Sequence, residues 1–213
     1  MIFFKDLWDL VAAFRKYDPA TKSSIEILLL YPGIKAWVIH QLSHFFYQSG
    51  VPFVPRLLSE AGRLITGIDI HPGAKLGKRV LIDHGMGVVI GETAIVEDDV
   101  LIYQGVTLGG TTLERQKKRH PTIKEKCVLG AGCKILGDIT VGVGCRIGAG
   151  SVVVRDVPPG STVVGIPGRV VASAGVKEGQ ELEHGHLPDP FMARINEIES
   201  RLKKLEGLEK SSS

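Results

Sequence analysis

From Ile70 to Val157 the apolar residues return every six positions, a spacing that fits neither a helical stripe nor the two-residue alternation of an ordinary strand. Ile70, Leu76 and Ile82 open three hexads. After a two-residue slip in GMGVVIGE the count resumes at Ile90, Val96, Ile102 and Leu108. It breaks once more and returns at Ile123, Leu129, Ile135, Val141, Ile147 and Val153. Four residues after most of these starts stands a second, small or apolar residue: Ala74, Val80, Met86, Ala94, Val100, Val106, Cys127, Cys133, Ile139, Cys145, Ser151 and Val157. Such a repeat predicts short extended segments joined by turns, three hexads to a coil, with coils stacked at about 4.8 Å, the ordinary strand spacing. The leading aliphatic side chains point inward and the fifth-position residues fill the corners. This is a parallel β-helix, a repeat architecture in which each coil mainly touches its neighbours.

The flanks follow a different period. Ile2, Phe3, Leu7, Leu10 and Phe14 are spaced helically, and Leu42, Phe45, Phe46, Leu57, Leu58 and Leu64 continue the pattern. YDPATKSS offers Asp18 as a helix N-cap with Pro19 at the first helical position. Residues 1–66 therefore read as a helical segment that packs on one end of the prism and covers its open strand edges. Residues 67–171 form the β-helix, with a protruding loop at 109–122, and GIPGRVV at 165–171 reads as its terminating turn and cap. Residues 172–213 form a tail in which Phe191, Ile195, Ile198, Leu202 and Leu205 predict a short helix, one that packs on the body or joins a small coiled coil. The final KSSS is expected to be disordered. The fold class is α+β.

Composition narrows the function. A formal charge of +3 over 213 residues does not point to nucleic acid. The start, MIFFKDLWDL, mixes charge into its apolar residues and does not resemble a secretory leader. The most apolar run, ILLLYPGIKAWVI, is interrupted by Pro32-Gly33 and Lys35, which argues against a membrane span. All three cysteines take the fifth hexad position and none is in CxxC spacing, so they read as small core residues of a reduced, cytoplasmic protein.

Titratable residues interrupt this regular pattern at two places. Asp69 and His84 are 15 residues apart, near the same face of adjacent coils. A carboxylate beside an imidazole can fix its tautomer and stabilise the imidazolium, which makes His84 a candidate general base and Asp69 its orienter. Asp83 is placed to face a ligand cation, while His71, before Pro72, reads as a turn-bonding residue. The second place is the basic interruption GGTTLERQKKRHPTI, which a solenoid does not need for stability and which ends in Arg119-His120. By itself it is either a tolerated surface insertion or a functional loop. His71, His84 and His120 lack the short spacing of metal ligands, so no metal is expected.

At DIHPGAKLG, DHGMGVVIGET, YQGVTLGGT and KRHPTIKEKCVLGAGCKILG, and on through IGAGSVVVRDVPPGSTVVGIPGRVV, the sequence closely resembles the serine O-acetyltransferases over roughly residues 16–171. The resemblance implies a left-handed prism and acetyl transfer from acetyl-CoA to the hydroxyl of L-serine, the opening step of cysteine biosynthesis. It implies that His84 takes the hydroxyl proton, with Asp69 as its partner and Asp83 facing the serine amino group. Arg119 and His120 then hold the carboxylate and hydroxyl end, an Arg fork matching a carboxylate well. Gly110, Thr111, Ala131 and Ala149 match positions lining the pantetheine arm of acetyl-CoA, and Arg146 stands near enough to meet phosphate. The resemblance further implies a homotrimer with sites between subunits, extended to a dimer of trimers in longer members, and inhibition by cysteine. Three features depart from the family pattern. Much of the longer members' amino-terminal helical segment is missing, and the chain ends in Ser213 where members that bind O-acetylserine sulfhydrylase end in Ile. Lys22 stands where some members carry an acidic serine contact, with Glu26 one helical turn on as its substitute. Two other readings remain open from the residues: an acetyltransferase of the same fold for another small hydroxyl or amine, and a non-catalytic trimeric scaffold.

Overall fold

A computed structural model describes residues 2–114, 117–172 and 195–202. From Asp69 onward the chain winds through three faces of parallel strands. The first face stacks Asp69–Ile70, Val89–Ile90, Thr107–Gly109, Lys134–Leu136 and Val152–Val153. The second stacks Lys75–Leu76, Ile95–Val96, Thr122–Ile123 and Thr140–Val141, and the third Leu81–Ile82, Leu101–Ile102, Val128–Leu129, Arg146–Ile147 and Thr162–Val164. Register follows the hexads: Ile70 lies on Ile90, Ile90 on Leu108, Leu108 on Ile135 and Ile135 on Val153. These side chains fill the interior, and nearly all the fifth-position residues are buried with them.

Met86 is the exception. The slip in GMGVV puts Val88 in the core, fully buried, and leaves Met86 68% exposed, so the inward fifth-position residue of that coil is Val88. The two additional residues are absorbed by a wider corner, with Gly85 and Gly87 at φ 76° and 75°, a left-handed conformation that glycine enters without a Cβ clash. The cysteines are buried and unpaired, as small core residues should be. The Cys127 thiol donates to the Gly142 carbonyl at 3.0 Å, and burial pushes Cys133 up to about 12.

Four helices cover the first coil: α1 (Ile2–Tyr17), α2 (Ser24–Leu30), α3 (Pro32–Gln48) and α4 (Val54–Thr66). Leu10, Val11, Phe14, Ile27, Ile34 and Trp37 form their shared core. A parallel coil exposes one row of backbone acceptors at its open end, and here the helices meet that row. Ser59 donates to the Ile70 carbonyl at 2.8 Å, and the His44 ring lies 2.7 Å from the Pro72 carbonyl. Gly33 packs so closely that a Cβ there would stand 2.3 Å from the Ile82 carbonyl oxygen.

Asp18 does not cap a helix. The N-cap of α2 is Ser23, whose hydroxyl accepts from the Glu26 N–H at 3.2 Å, while the Glu26 carboxylate accepts from the Lys22 N–H at 3.1 Å. Glu26 thus helps to hold the start of α2. At the far end of the prism, Arg169–Ala172 turns back antiparallel along Thr162–Val164 and closes the third face. Residues 195–202 are helical with Ile195, Ile198 and Leu202 exposed; Phe191, Leu205 and KSSS lie outside the described residues. Among the described residues no helix is long and apolar enough to cross a membrane.

Candidate active site

The candidate residues occupy two different corners of the prism, and strand order decides which. Asp83 and His84 leave the third face and enter the turn that leads to the first. Gly91–Ala94 leave the first face toward the second, and there the loop ending in Arg119-His120 returns. Between the two corners of the second coil lies the strand edge from Val88 to Gly91, on the order of 10 Å at about 3.3 Å per residue.

At the first of these corners His84 is exposed and holds φ 55°, while Asp83 is partly covered. Helix α1 ends here. Tyr17 and Tyr103 place their hydroxyls 2.5 Å apart, and Tyr17 lies within electrostatic reach of the Asp83 carboxylate. Burial, the Tyr103 hydroxyl and the Asp83 charge together push the Tyr17 phenol upward, so it stays a donor. Asp18 lies within electrostatic reach of His84. The Tyr31 hydroxyl, which hydrogen-bonds its carboxylate, and the Ala20 N–H, at 2.8 Å, hold Asp18 below the usual carboxylate value. Asp69 runs one coil beneath, its N–H bonded to the Val88 carbonyl at 2.9 Å and Gly67 bonded to Gly87 at 2.8 Å. The expected Asp69–His84 pair is not closed. No hydrogen bond among the described residues joins them, and the Asp69 carboxylate lies within electrostatic reach of Arg63 and His71.

Above Tyr103 and Gln104 the corner carries only small residues. Gly105, Gly132 and Gly150 stack in left-handed turns, linked from Met86 through Gln104 and Ala131 by backbone bonds of 2.8 to 2.9 Å. Ala131 and Ala149 belong to this column. Gly110 and Thr111 do not; they begin the loop at the other corner, where a Cβ on Gly137 would stand 3.1 Å from the Thr111 hydroxyl. The four residues assigned to the acetyl donor are therefore divided between the same two corners as the acceptor residues. Arg146 lies near the Tyr103 phenol, on the third face.

At the second corner Arg119 Nη2 meets Glu92 Oε2 at 2.8 Å, and the Arg119 and His120 N–H groups reach the Thr93 hydroxyl at 2.9 and 3.1 Å. The His120 ring is 8% exposed, and Gly91 makes room for it: a Cβ there would stand 2.0 Å from Cδ2. Burial, assisted by the Arg119 charge, holds the imidazole below its usual value and therefore neutral. Lys118 bridges to Asp138 at 3.2 Å and fixes the base of the loop. A cleft of about 550 Å³ opens here, lined by Tyr47, Lys75, Glu92, Thr93, Lys118 and Arg119. His71 is a turn residue, its Nδ1 accepting from the Gly73 N–H at 3.0 Å. Among the described residues no three His, Cys, Asp or Glu side chains gather as metal ligands.

Sequence reasoning missed Tyr17, Tyr103, Glu92 and Thr93, and gave Asp18 a different role. The contacts among them span 26 to 86 positions and depend on where α1 docks and where the loop returns. The local hint was that Glu92, Thr93 and Tyr103 lie inside the family motifs DHGMGVVIGET and YQGVTLGGT.

Comparison with known proteins supplies the family. Residues 120–155 match the bacterial transferase hexapeptide (six repeats) family. The serine acetyltransferase of Synechococcus elongatus is 55% identical over 189 residues, 89% of this chain and 77% of that protein. That of Bacillus subtilis strain 168 is 49% identical over 206 residues, covering 97% and 94%. A crystal structure of serine acetyltransferase in complex with coenzyme A from Brucella abortus strain S19 superposes with a TM-score of 0.79 at 40% identity, covering 82% of this chain and 70% of that one. The helical cap, the prism and the short C-terminal helix are the fold expected from the residues, and its left hand is the one the resemblance implied. With a closely similar sequence along nearly its whole length, the chain belongs to the serine acetyltransferase family.

Proposed function

We propose that the protein transfers the acetyl group of acetyl-CoA to the hydroxyl of L-serine, giving O-acetyl-L-serine and CoA, and that it does so at sites shared between two copies of the chain. The division of the polar residues between two corners carries this reading. An exposed histidine with two carboxylates nearby stands at one corner, and an arginine-histidine pair beside a cleft stands at the next. A zwitterionic amino acid needs both kinds of contact. In a trimer of prisms packed side by side, the His84 corner of one subunit faces the Arg119 corner of its neighbour.

In this arrangement Asp83 meets the ammonium, and Arg119 and His120 meet the carboxylate and the oxygen beside it. His84 accepts the hydroxyl proton, the serine oxygen bonds to the thioester carbonyl carbon, and the carbon–sulfur bond breaks. The proton then passes from His84 to the leaving thiolate, so His84 ends the cycle neutral. Asp69, on the strand beneath, orients the ring once substrate orders it. The column at Ala131 and Ala149 receives the pantetheine arm of one subunit's acetyl-CoA, with Gly110 and Thr111 of the neighbouring loop closing over it. A cytoplasmic setting fits three buried, unpaired thiols.

The test is thiol release from acetyl-CoA with L-serine, set against homoserine, threonine and a sugar panel. Release with L-serine alone is expected. Release only with another acceptor would keep the His84 base and discard the Asp83, Arg119 and His120 assignments. Silence with every acceptor would favour a scaffold.

A further inference from the structure

We infer that Thr93 is the positioning residue that fixes His120 as an Nε2–H donor, so that His120 binds a substrate oxygen and takes no part in proton abstraction. The inference rests on the acceptor site proposed above and assigns one of its residues a defined hydrogen-bonding state. Thr93 lies in the turn at the Arg119 corner of the second coil, and the loop returns onto it 26 and 27 positions later. Its hydroxyl oxygen accepts the N–H of Arg119 at 2.9 Å and of His120 at 3.1 Å, which occupies both lone pairs. The remaining capacity of that oxygen is its own O–H, and His120 Nδ1 is 2.9 Å away. The Thr93 N–H points at the same nitrogen at 3.2 Å, and a backbone N–H can only donate.

Two donors therefore converge on Nδ1, which must offer a bare lone pair, and the proton of the neutral ring sits on Nε2. Nε2 has no hydrogen-bond partner among the described residues, and two glycines stand beside it. A Cβ on Gly91 would lie 2.1 Å from it, and one on Gly110 3.3 Å. To act as a base His120 would have to take its proton at Nδ1, against both donors. Arg119 and Lys118 oppose that proton as well, and Glu92, which favours it, is already paired with Arg119. His84 carries no such restraint: it is exposed and makes no hydrogen bond among the described residues. One threonine thus separates the roles of the two histidines and ties Arg119 and His120 into a single unit.

The experiment uses the full chain with ¹⁵N-labelled histidine and long-range proton–nitrogen correlation, His120 being assigned by its loss in His120→Gln. In the parent, Nδ1 of His120 should resonate as an unprotonated nitrogen and Nε2 as a protonated one. Thr93→Val keeps the shape and removes the hydroxyl. It should give a mixture of tautomers and raise KM for L-serine at least about tenfold, with kcat falling less than about threefold, the pattern of lost ground-state binding. Thr93→Ser should restore most of both readouts. A proton on Nδ1 in the parent would overturn the inference, as would a Thr93→Val protein with the parent's tautomer and KM. If Thr93→Val does not fold, the parent spectrum and Thr93→Ser still decide. A parent with the inferred tautomer that fails to acetylate L-serine would sink the proposed reaction and leave the tautomer assignment standing.

Discussion

Adding a single methyl group at Gly91 should disable the site while leaving the prism standing. A Cβ at this position would stand 2.0 Å from His120 Cδ2 and 2.1 Å from Nε2, where ordinary contact needs about 3.5 Å. The ring must therefore move by roughly 1.5 Å, or the coil must open. Gly91 has no positive φ, so alanine adopts its backbone conformation without strain, and its bonds with Leu108 and Ala94, both 3.1 Å, are unaffected by the side chain. The ring cannot move that far and keep its 2.9 and 3.2 Å contacts with Thr93. Overpacking of this kind costs about 1–3 kcal/mol of stability, and a misplacement near 1 Å at a reacting centre costs on the order of a hundredfold in rate. Gly77→Ala serves as the control. Its Cβ would meet Asp98 Oδ1 at 2.5 Å and the backbone of Glu97 and Asp98 at 2.7 and 2.9 Å, but at the corner between the second and third faces, away from both candidate corners. Thiol release from acetyl-CoA should fall at least about thirtyfold in Gly91→Ala and stay within about twofold in Gly77→Ala, for comparable losses in melting temperature. In a His120→Ala background, Gly91→Ala should cost no further stability. Equal activity of the two glycine variants would refute the reasoning, because it would mean that the position of His120 does not matter.

Other outcomes follow from the same geometry. His84→Asn, chosen because asparagine tolerates the φ of 55° that alanine resists, should lower kcat by at least about a hundredfold with the melting temperature nearly unchanged. Retained turnover in that variant would remove His84 as the base. Asp69→Asn should do less harm than His84→Asn, and a loss as large would show that their pairing is essential once substrate is bound. His40, buried beneath the first coil, is held neutral by desolvation at about 3, below the 6.5 it would have unfolded. The unfolded chain therefore takes up this proton first. The contribution is fully present above pH 6.5 and is lost as pH falls toward 3, by about 2 kcal/mol between pH 6.5 and 5. Urea unfolding at the two pH values measures it, and a flat response would show that the ring is not buried in neutral form.

Much of this was legible in the residues because a β-helix writes its geometry into a fixed period. The inward positions from Ile70 to Val153 follow directly from counting sixes, and only Met86 was misplaced. There the two-residue slip could be absorbed before or after the corner, and the count does not say which; the stacking of Val88 beneath Val106 decides it. The helical cap was readable as helix, but its boundaries were not. Asp18-Pro19 imitates a helix start, while the Ser23 N-cap a few residues later is the true one, and Asp18 is drawn instead to Tyr31. The candidate site was recognisable as a set of residue types, yet its supports were invisible. Thr93 looks like any turn residue until a loop returns to it, and the Tyr17–Tyr103 contact exists only because α1 docks on the third face. The Asp69–His84 bond was inferred from spacing along a regular coil, and the widened Gly85–Gly87 corner leaves His84 turned outward in the chain taken singly.

The central claim is that each site is completed by two copies of the chain, and mixing two impaired proteins tests it most directly. The His84→Asn homotrimer should be dead, and the His120→Ala homotrimer at least about tenfold weaker at L-serine below the parent's KM. Unfolded together in equal amounts and refolded, about three quarters of the trimers should be mixed, and each mixed trimer contains one interface where an intact His84 corner meets an intact His120 corner. The account predicts recovery of roughly one quarter of the parent's thiol release with L-serine, less whatever refolding loses. No recovery, from mixed trimers shown to form by mass spectrometry, would mean that His84 and His120 act within one chain and that the site is not shared.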